Sequence, residues 1–245
     1  MNATEVESWM SRHHFFLRRL HSLMGIIPIG AFLVEHMLTN SLAWFGPEKF
    51  NEQVHWLHNM HYLLWLEILF VFLPLAFHAV YGVAIALTGR SNVGEYGYAD
   101  NWRYTLQRVT AWITVIFIVV HLLHFRFAHW LGGPVYPHTP DPFALTQEGF
   151  ARLMPAWLWI AIYAVGMTAA IYHFCNGIVT FCITWGITVS DASRRRMSGL
   201  AAVAGVVMLL WGSMSLVGLS RDAEAAHRPL APPPAQVQAE AGLPG

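Results

Sequence analysis

Five separate stretches of this chain are apolar over about 20 residues or more, the length needed to cross roughly 30 Å of hydrocarbon. They lie near 20–44, 62–88, 105–128, 156–187 and 199–219. Backbone groups inside hydrocarbon must satisfy one another, so each run is expected to be a helix. A barrel would instead show alternating strands of about ten residues. The expected fold is therefore all-α, an integral membrane bundle of five transmembrane helices within 20–220. Composition agrees: 56% of the 245 residues are hydrophobic and 11% are charged, against about 25% charged in a soluble domain. The formal net charge is zero, which gives no general attraction to nucleic acid.

The connections hold turn formers: Gly46-Pro47, Gly89, Gly132-Gly133-Pro134 and Ser190-Asp191. Residues 1–19 are polar and read as a cytoplasmic N-terminal segment. The first apolar run is too long for a signal sequence and no small-residue cleavage site follows it, so it is expected to stay. With the N-terminus inside, inner segments hold nine of the Lys and Arg residues, including Arg194-Arg195-Arg196 in a short loop, and outer segments hold five. The positive-inside rule then places the N-terminus in the cytoplasm and the C-terminus outside. The Ala/Pro-rich tail 221–245, with Pro232-Pro233-Pro234, has no apolar period and reads as disordered.

Four histidines stand inside four of the apolar runs: His36, His78, His121 and His173. Polar rings at membrane depth are costly and tend to mark a functional site. One per helix is the ligand inventory for two bis-histidine haems held inside a bundle. With the first and third helices running outward and the second and fourth inward, each His falls past the midpoint of its helix. His36 and His121 then share the outer level, as iron ligands of an outer haem. His78 and His173 share the inner level, as ligands of an inner haem. Zinc would call for closer clustering of its ligands, such as i, i+4 pairs.

The neighbours of these histidines leave alternatives open. Gly82 and Gly177 each follow a His at i+4, on its own helix face. They let a flat macrocycle approach, or they merely pack helices. His124 stands three residues from His121, and either could be the ligand. His21, Arg18 and Arg19 are candidates for holding haem propionates, or are interfacial anchors. Cys175 and Cys182 lie seven apart on one helix, roughly 10 Å along its axis. That is too far for a disulfide, and two thiols are too few for an iron–sulfur cluster. Both read as packing residues.

Five segments occur in an order and spacing that resemble one family: FLRRLHSLMGIIPIGAFLVEH (16–36), FLPLAFHAVYG (72–82), NWRYTLQRVTAWITVIF (101–117), YHFCNG (172–177) and TWGITVS (184–190). The family is the single-chain, five-helix, dihaem cytochrome b anchor of succinate:quinone oxidoreductases, meaning succinate dehydrogenase or fumarate reductase. The resemblance covers about residues 16–190. It implies axial ligands at His36, His78, His121 and His173, which favours His121 over His124. It pairs His78 with His173 nearer the partner subunits, and His36 with His121 at the distal haem.

The resemblance also implies a flavoprotein and an iron–sulfur subunit on the cytoplasmic side of a bacterial inner membrane, in a complex that could assemble further. The quinone implied is menaquinone. The chain has no dinucleotide fingerprint and no cluster cysteines, so succinate chemistry belongs to the partners. For the quinone site the best candidate is Glu67, eleven residues before His78, about three helical turns. That spacing puts it on the His78 face, near the outer haem, where a carboxyl can exchange protons; the alternative is an interfacial Glu facing water. His58 and His61 could relay protons outward, or are exposed loop residues. Quinone chemistry near the outer face would couple turnover to the membrane potential.

Two other readings compete. One is the cytochrome b of another quinone-linked enzyme, a hydrogenase or formate dehydrogenase. The other is a haem-free anchor or transporter, which should show internal repeats or paired broken helices.

Overall fold

The computed structural model describes residues 3–133 and 139–221, with side chains from 13 onward. Among the described residues every regular element is helical, and five helical stretches are long and apolar enough to cross a membrane. The tail read as disordered lies, apart from Arg221, outside the described residues.

The first span, His13–Phe45, is not one straight helix. It comprises α1 (Ala3–Ile26) and α2 (Pro28–Ser41), broken at Pro28. Proline has no N–H to continue the ladder, so a new helix begins with Pro28 in its first turn. Residues 3–19 run continuously into this span within α1. No Gly or Pro occurs between Ala3 and Met24, so nothing stops the helix where the apolar run ends. The short α3 (Pro47–His58) follows, with Pro47 and Glu48 in its first turn and His55 and His58 in its last. It lies in what the hydropathy reads only as a connection.

The second span, Leu63–Thr88, runs through α4 (Leu63–Leu66), a widened π turn at Glu67–Phe72, and α5 (Leu73–Thr88). Pro74, in the first turn of α5, gives the cause: it removes one donor from the preceding turn, which widens rather than breaks. The third span is α6 (Ala99–His121) followed by a second π turn, Leu122–Arg126. Beyond it, α7 (Pro142–Ala151) is capped by the carboxylate of Asp141, which accepts from Ala144 N at 3.0 Å. The last spans are α8 (Ala156–Thr184) and α9 (Asp191–Ser220). Ser190 and Asp191, read as turn formers, are the N-cap and first residue of α9: Ser190 Oγ accepts from Ser193 N at 3.2 Å.

Helix α8 is the central post. It packs against α6, α9 and α1, while α2 packs on α9 and α1 on α5. Small residues permit the close approaches, as expected where lipid gives helices no hydrophobic drive to associate. A side chain at Gly166 would strike Phe117 of α6, and one at Gly212 would strike Met167. Cys175 and Cys182 are buried free thiols, as read. The outward faces carry Val80, Ile116, Val119, Val165, Leu200, Val206 and Leu210, all exposed. Apolar groups outside and polar groups inside is the arrangement a bilayer demands.

At the end where α8 starts, α3 and α7 close over the bundle. Asn51 donates to Asp141 Oδ1 at 2.9 Å and accepts from Phe143 N at 2.8 Å. Beneath them Phe50, Phe143, Phe150, Trp159, Tyr163 and Leu219 share one core cluster.

Candidate functional site

Two pairs of imidazoles meet inside the bundle. His78 of α5 and His173 of α8 have ring centroids 6.2 Å apart and planes at 83°. His36 of α2 and His121 of α6 are 5.7 Å apart at 77°. Two metal–nitrogen bonds of about 2 Å each, with half a ring beyond each bond, fit those separations. Among the described residues no group of three or more His, Cys, Asp or Glu side chains gathers as a metal cage. The candidate metal positions are the two-histidine gaps.

The hydrogen bonds fix the protons. His78 Nδ1 lies 2.9 Å from the carbonyl oxygen of His21, and His173 Nδ1 lies 3.2 Å from that of Gln107. A carbonyl only accepts, so both Nδ1 atoms carry the proton and each neutral ring keeps its Nε2 lone pair. That is the arrangement found in metal-ligating histidines, whose other nitrogen is held by a carbonyl or carboxylate. His121 reaches the same state by a longer route. His124 Nε2 donates to Gly149 O at 2.9 Å, so its Nδ1 accepts from Tyr163 Oη at 2.8 Å. The phenol proton is then committed, and Tyr163 Oη accepts from His121 Nδ1 at 3.2 Å. The fourth ring differs: His36 Nδ1 lies 3.4 Å from Asn40 Nδ2, whose shorter bond goes to His36 O at 2.8 Å.

His124 is therefore set apart from the pairs. It is 1% exposed, spends both nitrogens on protein partners, and stacks on Trp159 at 3.7 Å. Nothing remains on it to bind iron.

The other candidates fall as follows. The ring of His21 lies parallel to that of His78, 4.0 Å away. Gly82, read as making room for a macrocycle, faces His21: a Cβ there would stand 3.0 Å from His21 Nε2. Gly177 faces Gln107 and Ile26, each at 3.8 Å from its Cβ position. Arg19 fastens α1 to the end of α8, donating to Thr184 O at 3.4 Å and lying over the rings of Trp185 and Phe15. Arg18 is exposed.

Glu67 does not share the face of His78. The π turn between them inserts an extra residue, which turns Glu67 by about 100° around the axis. It pairs instead with Arg126 at the end of the third span, Oε2 to Nη2 at 2.8 Å, both side chains about a third exposed. Beside the pair, Phe127 stacks on Trp130 at 4.5 Å and meets Phe72 at 6.3 Å. His61 is exposed, and His55 bonds Pro140 O at 3.3 Å.

Several contributors escape the sequence reading. A Cβ on Gly25 would lie 2.5 Å from His78 Cε1, so the ring occupies the space that this glycine leaves. Gly25 follows His21 at i+4, the spacing that singled out Gly82 and Gly177, and that signal could have found it. Gln107 donates to His173 O at 3.0 Å and accepts from Asn176 at 2.8 Å; Asn176 in turn accepts from Arg103 at 3.1 Å. Tyr163 and Arg126 are single residues of common type whose partners lie on other helices, and no local pattern marks them.

Similarity to known proteins shows the family. The model of a family described as succinate dehydrogenase/fumarate reductase transmembrane subunit matches residues 91–213. A succinate dehydrogenase cytochrome b558 subunit from Bacillus subtilis (strain 168) is 39% identical over 205 residues, 84% of this chain and 94% of that protein. The chain belongs to the succinate dehydrogenase/fumarate reductase transmembrane-subunit family. As a member of that family, with five apolar spans, it is a multi-pass membrane subunit of the succinate dehydrogenase/fumarate reductase type.

Proposed function

We propose that this chain is the cytochrome b anchor that links an iron–sulfur subunit, and through it a succinate-handling flavoprotein, to membrane quinone. The observation that carries this reading is the pair of facing histidine couples, three of whose four rings have Nδ1 committed and Nε2 open. Held there, two haems b would supply one-electron transfer between the iron–sulfur partner and the quinone. His78 and His173 would hold one iron, His36 and His121 the other.

The chain's own residues do the rest. The carbonyls of His21 and Gln107 and the phenol of Tyr163 orient the ligand rings and select their tautomer. Apolar spans exclude water from both levels. At the His78–His173 end the exposed Arg18, Arg90 and Arg194–Arg196 form a basic face suited to the extrinsic subunits, on the cytoplasmic side of a bacterial inner membrane. At the other end the Glu67–Arg126 pair offers a quinone carbonyl a guanidinium donor, and offers its oxygens a carboxylate that exchanges protons. Phe72, Phe127 and Trp130 give the apolar wall a quinone ring needs. Menaquinone is the quinone proposed, by the family resemblance.

The test is a dithionite-reduced minus oxidised spectrum of the purified complex with pyridine haemochrome quantitation. The reading expects two haems b per copy of this chain. One would remove a ligand pair from the account, and none in an intact preparation would leave a plain anchor.

A further inference from the structure

The two histidine pairs are held by different chemistry. His78 and His173 donate to backbone carbonyls, which no side-chain change removes. His121 donates to a side chain, Tyr163 Oη, whose own proton is held by His124 Nδ1, and His124 is pinned by Gly149 O. The relay is buried among Phe125, Phe150 and Trp159. Trp159 is fixed in turn by its Nε1 donating to Arg152 O at 2.8 Å. Three elements, the π turn of the third span, α7 and α8, converge to build it.

We propose that Tyr163 and His124 are positioning residues that set the redox potential of the haem held by His36 and His121; this rests on the dihaem reading above. A hydrogen bond accepted from the outer nitrogen of a metal-bound imidazole makes that ring a stronger donor and favours the oxidised metal. A phenol that donates its own proton is a better acceptor for a third group, because hydrogen bonds in a chain polarise one another. His124 thus acts on His121 through Tyr163 without touching it as a ligand. The direction of the chain is forced, since it terminates on a carbonyl that cannot donate.

The experiment is a potentiometric titration of the assembled complex carrying the native chain, Tyr163→Phe or His124→Leu, with haem content measured in each. The haem of the His36–His121 pair is identified as the signal that His36→Ala removes. Tyr163→Phe leaves Nδ1 of His121 without its acceptor and should raise the midpoint of that haem, leaving the other midpoint unmoved. His124→Leu should raise the same midpoint by less. Two haems with native midpoints in both variants would overturn the proposal, as would midpoints that move together, which mark a general loosening. If Tyr163→Phe loses the haem outright, His124→Leu decides by the same criterion. A native chain with fewer than two haems would instead sink the dihaem reading, and this proposal with it.

Discussion

The imidazole of His21 lies flat on that of His78, 4.0 Å between centroids and 6° between planes, while the His21 carbonyl accepts the His78 Nδ1 proton at 2.9 Å. One residue of α1 thus holds a candidate ligand of α5 in both rotation and tilt. Gly25 and Gly82 complete the nest, since a side chain at either would press on one of the two rings.

Gly25→Val should therefore push His78 off its bond to His21. A Cβ at 2.5 Å from Cε1 and 2.9 Å from Nδ1 leaves the ring nowhere to stay. The expected result is loss of the haem of the His78–His173 pair with the other retained, read as about one haem per chain by pyridine haemochrome. Gly82→Ala meets His21 at 3.0 Å and should act in the same direction more weakly.

Glu67→Gln and Arg126→Leu should both depress quinone turnover: a Gln still accepts from Arg126 but carries no exchangeable carboxyl proton, and a Leu leaves Glu67 without its partner at 2.8 Å. A hydrogen bond from the guanidinium to a quinone carbonyl is worth about 1.5–3 kcal/mol, so Arg126→Leu should lose roughly tenfold to a hundredfold. Succinate oxidation with an artificial acceptor that bypasses the membrane should be unchanged. Full quinone turnover in both variants would remove the pair from the account.

Arg103 ties three spans at the other end: it donates to Asn176 Oδ1 of α8 and Ser198 Oγ of α9, each at 3.1 Å. Asn176 is 7% exposed, and a buried acceptor left unpaired costs about 1–3 kcal/mol. Arg103→Leu should lower the thermal midpoint of the complex, followed by loss of haem absorbance on heating, and Arg103→Lys should recover part of it. An unaltered melt would show that water replaces the guanidinium at no cost.

The α3–α7 cap should loosen in acid. Asp141 is held below its ordinary value of 3.8, first by the backbone N–H of Ala144 and then by the amide of Asn51. A carboxylate with a depressed folded pKa stabilises above its unfolded value, and the contribution fades as pH falls through the folded one. Protection factors in the first turn of α7, which allow for the slower intrinsic exchange in acid, should therefore fall below about pH 4 in the native chain. In Asp141→Ala they should already be low at neutral pH. Equal protection in both at pH 6 would contradict the capping role.

How much of this was readable in the chain depends on the range of the interaction. The five spans follow from runs of apolar residues, and the four candidate ligand histidines from polar rings placed inside them. Pro28 and Pro74 mark the broken helix and the first π turn once their missing N–H groups are followed to the preceding carbonyls. The second π turn, Leu122–Arg126, contains no proline and leaves no trace in sequence. The short helices α3 and α7 lie below the length that hydropathy detects, though Pro47 and the Asp141-Pro142 step mark their starts. What stayed hidden is what folding alone brings together: Arg126 beside Glu67, Tyr163 between His121 and His124, and Gln107 against His173.

The proposed dihaem arrangement pairs His36 with His121 and His78 with His173, one haem to each pair. It is tested most directly by replacing each histidine singly with alanine in the assembled complex and titrating the remaining haem. His36→Ala and His121→Ala should lose the same component and keep the other at its native midpoint. His78→Ala and His173→Ala should show the reverse. Loss of different components within a pair, or of both from every variant, would contradict the account.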